Sequence, residues 1–179
     1  MNTRYSKLLL TILFFILFVP PVVADEPIKD GPYVEYYENG RKKSEGSYKG
    51  GEKEGLWTSW DENGMKKHEE PYKNGKADGL WIHWYASGRK ESENHWEEGQ
   101  LEGLGIRWYA NGQKESENDW QHGRLEGHGT FWHENGQKMS EGHWKNGKED
   151  GLWTDWHENG QKKSETHYKN GKEVSRKEF

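Results

Sequence analysis

Glycine recurs at positions 31, 55, 79, 103, 127 and 151, always 24 residues apart, and a second glycine column falls at 51, 75, 99, 123, 147 and 171. A strict internal period confines a chain to an array, because one short unit cannot bury its apolar side chains alone and must stack on copies of itself. Other columns keep the same step. Trp or Tyr stands at 36, 60, 84, 108, 132 and 156, and again at 48, 72, 96, 120, 144 and 168. Lysine occupies 42, 66, 90, 114, 138 and 162, and glutamate 45, 69, 93, 117, 141 and 165.

Each unit carries two turn signals. The first is Asn-Gly or a near variant, as in Asn63-Gly64, Ser87-Gly88 and Asn135-Gly136; the second is Asn74-Gly75, Asn146-Gly147 and their equivalents. Asn and Gly accept the positive φ that tight hairpins need. The segments between turns have strand length. Their apolar residues alternate, and the residues at 34, 58, 82, 106, 130 and 154 are all β-branched, which suits strands. The spacing therefore predicts an all-β fold, an elongated antiparallel β-hairpin meander of about twelve strands and roughly 55 Å at 4.8 Å per strand.

A three-residue Glu-Asn-Gly loop would set Trp60 opposite Lys66 and bring Tyr72 onto the face of Trp60. A two-residue turn would separate them, since a one-residue slip flips every side chain. The loop that gathers the aromatics is the expected one. Trp60, Trp84, Trp108, Trp132 and Trp156 then form a column with steps of roughly 10 Å. Lysines lie between the indoles, a geometry for cation–π contact. Trp57, Trp81 and Trp153, with Tyr85, Tyr109, His133 and His157, would make a second row on the opposite face, part of it accessible. The terminal repeats look weaker: Tyr36 and Tyr48 replace Trp in the first, and the last dissolves into Val174–Phe179.

Composition agrees with a thin sheet. Mean hydropathy is −1.32 and 32% of residues are charged, yet there are 11 Trp. An ordinary core needs more branched aliphatics, while disordered chains are poor in aromatics. The formal charge is −5, and Arg4 and Lys7 are the only charges in the first 24 residues, so the remainder is more acidic still. Bulk electrostatics thus gives no reason to expect nucleic acid or anionic lipid as a partner. No cysteine is present, which excludes thiolate metal sites and disulfides.

Residues 1–24 read as a secretory signal peptide: basic Arg4 and Lys7, an apolar run over Leu8–Val19, Pro20-Pro21, then Val22-Val23-Ala24 before a cut at Asp25. An uncleaved anchor is the alternative and the only expected route to membrane contact; the apolar run is short of the roughly 20 residues of a spanning helix. The expected organisation is a signal at 1–24, a linker at 25–30, six repeats (31–54, 55–78, 79–102, 103–126, 127–150, 151–174) and a tail at 175–179. A periplasmic or extracellular location follows from the signal.

The stretches Tyr72–Trp81 and His143–Trp153 resemble the MORN repeat core of aromatic, x, Asn-Gly-Lys, x, acidic, Gly. The alternating Asn-Gly-Gln-Lys-x-Ser-Glu halves at Asn111–Glu117, Asn135–Glu141 and Asn159–Glu165 are similar to the variant form of bacterial proteins, often grouped as YwqK-like antitoxins. The resemblance runs from Gly31 to about Lys172 and implies an elongated hairpin array that mediates protein or membrane contacts.

Chemistry is sparse. His95, His143 and His167 share a column, as do His133 and His157. Steps of roughly 10 Å are too long for one zinc ion, so no metal is expected. Six equivalent glutamates lack the differing environments that separate an acid from a base. The serine column at 44, 92, 116, 140 and 164 lacks a nucleophile elbow, and the glycines lack a phosphate-cradle context. No catalytic or cofactor-binding residue is expected. The expected function is a protein-binding or scaffold surface anchored by Trp60, Trp84, Trp108, Trp132, Trp156, Trp57, Trp81 and Trp153. An antitoxin or immunity protein is the second reading and a glycan- or cell-wall-binding module the third. Sheet edges offer a route to dimers.

Overall fold

Strands joined by tight turns satisfy their backbone N–H and C=O groups most directly by pairing with their neighbours in sequence. The computed structural model, which describes residues 28–179, is built in this way. Its strands are β1 Gly31–Tyr36, β2 Lys42–Lys49, β3 Glu52–Trp60, β4 Lys66–Lys73, β5 Lys76–Ala77, β6 Gly79–Trp84, β7 Lys90–Glu97 and β8 Gln100–Leu101. There follow β9 Gly103–Trp108, β10 Lys114–Gln121, β11 Arg124–Trp132, β12 Lys138–Lys145, β13 Lys148–Glu149, β14 Gly151–Trp156, β15 Lys162–Lys169 and β16 Lys172–Glu178. All belong to one open 16-stranded sheet, and each long strand is antiparallel to the next. The two-residue strands β5, β8 and β13 are the opening steps of β6, β9 and β14, interrupted at Asp78, Glu102 and Asp150. The segment expected to be a signal peptide, the cut expected between Ala24 and Asp25 and the start of the expected linker lie outside the described residues.

The meander has one long strand more than the twelve expected, and the extra one is β16. The sequence suggested that the array dissolves after Val174; instead Glu178 pairs with Ser164 and Lys177 with Glu165. Phe179 then takes the place of a seventh column aromatic, with Lys162 Nζ 5.2 Å from its ring centroid. The half-repeat was hidden because it is one residue short of the 24-residue spacing: Ser140 faces Asp155, but Ser164 faces Glu178.

The two turns do different work. In the first, Asp61 N–H bonds Met65 C=O at 2.8 Å and Gly64 N–H bonds Asp61 C=O at 2.9 Å, closing the expected three-residue loop on a glycine at φ +86°. In the second, Asn74 and Gly75 both have positive φ, 48° and 74°, the pattern of a two-residue hairpin turn. A carboxylate from the preceding hairpin caps it. Glu54 accepts from Asn74 N–H at 2.9 Å, Glu102 from His122 N–H at 2.7 Å and Glu126 from Asn146 N–H at 2.6 Å. The acidic residue before each unit's first glycine is therefore a bond between repeats.

Register departs from expectation in one respect. Trp60 does face Lys66, but the ladder shifts by one residue between Ser59 and Trp60, so Ser59 faces His68 and Lys67 is left out as a bulge. Tyr72 consequently lands opposite Gly55 and packs on Trp81 at 5.3 Å, on the face of Trp57 rather than that of Trp60. The bulge also explains why Lys66 reaches Glu69. Residues three apart in a regular strand point to opposite faces, and the extra residue brings them to the same one.

Candidate binding surface

The register divides the aromatics between two unlike faces. On one, Trp60, Trp84, Trp108, Trp132 and Trp156 are partly exposed. Lys42, Lys66, Lys114 and Lys138 lie over Trp60, Trp84, Trp132 and Trp156 at 5.3–5.8 Å, each reaching the indole of the following hairpin. The same lysines pair with Glu45, Glu69, Glu117 and Glu141. The cation–π column is thus present as expected, and its members satisfy one another. Leu56, Leu80, Leu104 and Leu152 stay 43–55% exposed on this face. Being a repeat apart, they are scattered single residues of the kind most protein surfaces carry.

The opposite face carries the nearest thing to a core. Trp57 and Trp153 are each 6% exposed, which removes them as accessible anchors. Trp57 packs on Tyr33 at 5.5 Å and Tyr48 at 4.9 Å, and Trp153 on Trp144 at 4.9 Å. Trp81 is half-buried between Tyr72 and Trp96, which are 5.3 and 5.0 Å away. The indole N–H groups of Trp57, Trp81 and Trp153 donate to the carbonyls of Ser47, Pro71 and His143. Glycine under an indole makes this packing possible: a Cβ at Gly46 would lie 2.3 Å from the Trp57 ring, and one at Gly142 2.3 Å from that of Trp153.

Trp96, Trp120 and Trp144 were missing from the anchors expected from sequence, because the bulge was missing. The signal available was the Lys-x-x-Glu spacing, an odd separation for two side chains that must meet. Tyr85, Tyr109 and His133, expected in a face row, serve instead as clamps between turns. The Tyr85 and Tyr109 hydroxyls donate to the Trp108 and Trp132 carbonyls at 2.6 and 2.7 Å, and His133 Nε2 lies 3.0 Å from the Trp156 carbonyl.

One column of the Trp57 face changes identity in all six repeats: Glu35, Ser59, His83, Arg107, Phe131 and Asp155. Two depressions of about 330 Å³ each lie along it, one beside Glu35 and Ser59 and one beside His83 and Arg107. Between them β4 and β6 bring together His68 and His83, ring centroids 4.3 Å apart, with Glu70 accepting from the Tyr72 hydroxyl and lying 3.1 Å from His83 Nε2. Burial, then the neighbouring His83, hold the His68 imidazole below its ordinary value. Burial raises the Glu70 carboxyl, but the bonds from His83 and Tyr72 outweigh it and leave it lowered. Among the described residues, no three His, Asp or Glu converge as metal ligands.

This pair predicts a pH dependence. A histidine with a depressed folded pKa binds fewer protons folded than unfolded, so stability falls as pH drops from about 6.5 through the lower folded value. The Glu70 contribution is lost only further down, below the ordinary carboxylate range. His68→Ser installs the residue found at Ser44, Ser92 and Ser116. The melting temperature of this variant is expected to fall less between pH 7 and pH 5 than that of the parent; parallel curves would reject the assignment.

A model of the MORN repeat variant family matches residues 29–49, 53–74, 125–146 and 149–170. The chain is a MORN-repeat protein. The matches fall on hairpins at both ends of the array, and the intervening MORN units keep the same antiparallel pairing and the same bulge, as at His83/Trp84. The match identifies the repeat and does not single out YwqK-like antitoxins within it. No curated protein matches the chain. MORN repeats imply a binding or scaffold role.

Proposed function

We propose that this MORN-repeat chain is an exported, non-enzymatic scaffold that engages another protein through its Trp57 face. The observation carrying this reading is the contrast between columns. Tryptophan, lysine and glutamate on the Trp60 face are nearly the same in every repeat and saturate one another, as residues that only stack hairpins should. Glu35, Ser59, His83, Arg107, Phe131 and Asp155 occupy equivalent backbone positions yet differ in charge, size and polarity, which stacking alone does not require. A row of unlike side chains beside two depressions suits multipoint recognition of one protein surface. A toxin would be one such partner, recognised by the same means. The glycan reading is less favoured, since two of its three platform indoles, Trp57 and Trp153, are buried. Export rests on Arg4, Lys7, the Leu8–Val19 run and Ala24.

A photo-crosslinking residue at Ser59 or Arg107, compared with one at Glu69 on the opposite face, tests this in the producing cells. Protein adducts are expected from the first two positions and from a non-cytoplasmic fraction. Adducts confined to Glu69, or none from any position, would overturn the reading.

A further inference from the structure

Histidines of one column stand a repeat apart, too far to share a metal, but the ladder sets neighbouring columns side by side. In the row of Leu56, Leu80, Leu104 and Leu152 on the Trp60 face, the fifth repeat alone carries a histidine, His128. Its partner across β11 and β12 is His143, whereas the corresponding leucines meet Pro71, His95, Asp119 and His167. Asp150 N–H donates to the His143 carbonyl at 2.9 Å, so the backbone of His143 is turned away from β11. The His128–His143 pair is therefore a non-hydrogen-bonded one, the kind that brings side chains closest. Both residues are exposed, and their ring centroids are 5.3 Å apart.

We propose that His128 and His143 form a zinc-binding site. Zinc lies about 2.1 Å from a ligating imidazole nitrogen and hence about 3.2 Å from the ring centroid. Two rings that share one ion at the tetrahedral angle thus have centroids about 5.3 Å apart, the separation found here. The His68–His83 pair fails this test. Its centroids are 4.3 Å apart, closer than the roughly 4.6 Å of a right-angle arrangement, and Ser59 and Glu70 already engage its nitrogens. His128 Nε2 lies 3.1 Å from Thr130 Oγ1; when that hydroxyl accepts the Nε2–H, Nδ1 keeps its lone pair for the metal. The His143 ring turns about a soft χ2 torsion. Asp119, on β10, accepts from His128 N–H through Oδ2 at 3.2 Å. It does not converge with the rings as a third ligand, but its charge favours a cation beside them. Two coordination positions are left to water, so the site is open and the ion exchangeable. Lying on the Trp60 face, the site is independent of any partner bound to the Trp57 face.

The test uses the protein purified without a histidine tag, stripped with a chelator and titrated with zinc chloride by calorimetry and NMR. One saturable equivalent is expected. The imidazole resonances of His128 and His143 should shift, while those of His95 and His167, single histidines of the same face, stay in place. His128→Leu, which installs the usual residue of the row, and His143→Gln should each weaken binding at least about tenfold. His68→Ser should leave it unchanged. No saturable binding, or binding that survives either of the first two substitutions, would overturn the proposal. Loss of binding in His68→Ser would also overturn it, by placing the ion at the other pair.

Discussion

Replacing Trp153 with alanine is expected to lower the free energy of unfolding of the C-terminal hairpins by about 3–5 kcal/mol, the range for truncating a buried aromatic. Trp153 is 6% exposed, meets Trp144 edge-on and donates to the His143 carbonyl at 3.2 Å. Its removal takes away the indole that β12, β14 and the Phe131 side chain, 6.4 Å away, share. In a linear array each unit touches only its neighbours, so the loss should be local. Hydrogen exchange should show protection collapsing over residues 151–169 while residues 31–60 keep theirs. A loss below about 1 kcal/mol would mean that the Trp–Lys column, not this face, holds the hairpins together.

Gly142→Val should also be damaging, though less so, and for the opposite reason. Gly142 has no positive φ, so the substitution carries no backbone penalty of that kind. The new Cβ, however, would sit 2.3 Å from the Trp153 ring, which must leave its place. Overpacking of this kind typically costs about 1–3 kcal/mol. Denaturant melts of Gly142→Asn, Trp153→Gly and the double variant provide a sharper measurement. The double variant copies Asn118 beside Gly129, so its loss should be smaller than the sum of the single losses, as coupled contact pairs show. Strict additivity would sink the idea that glycine and indole were matched across the strand pair.

Position 46 illustrates what sequence reading could and could not reach. Gly46, Gly142, Gly105 and Gly129 lie outside both periodic glycine columns, and nothing local announces that the first two sit under an indole. Asn94 and Asn118 likewise resemble ordinary strand polar residues until their neighbours across the ladder are known. The Trp60 column and its lysines were legible in full, because both depend only on the first turn and the 24-residue step. The face of Tyr72, Trp96, Trp120 and Trp144 was not, because it depends on one residue, Lys67 or its equivalent, dropping out of the ladder.

The sequence by itself determined the period, the two turns of each unit, the antiparallel all-β fold and the stacking of tryptophan under lysine. These follow from short-range chemistry: Asn-Gly pairs that accept positive φ, and side chains that alternate between turns. Only the tertiary structure decided which aromatics share a side, that Trp57 and Trp153 are buried, and that Lys172–Phe179 adds a final strand. Those outcomes turn on cross-strand register, where a shift of one residue reverses every side chain beyond it and where burial depends on the partner strand as much as on the residue itself.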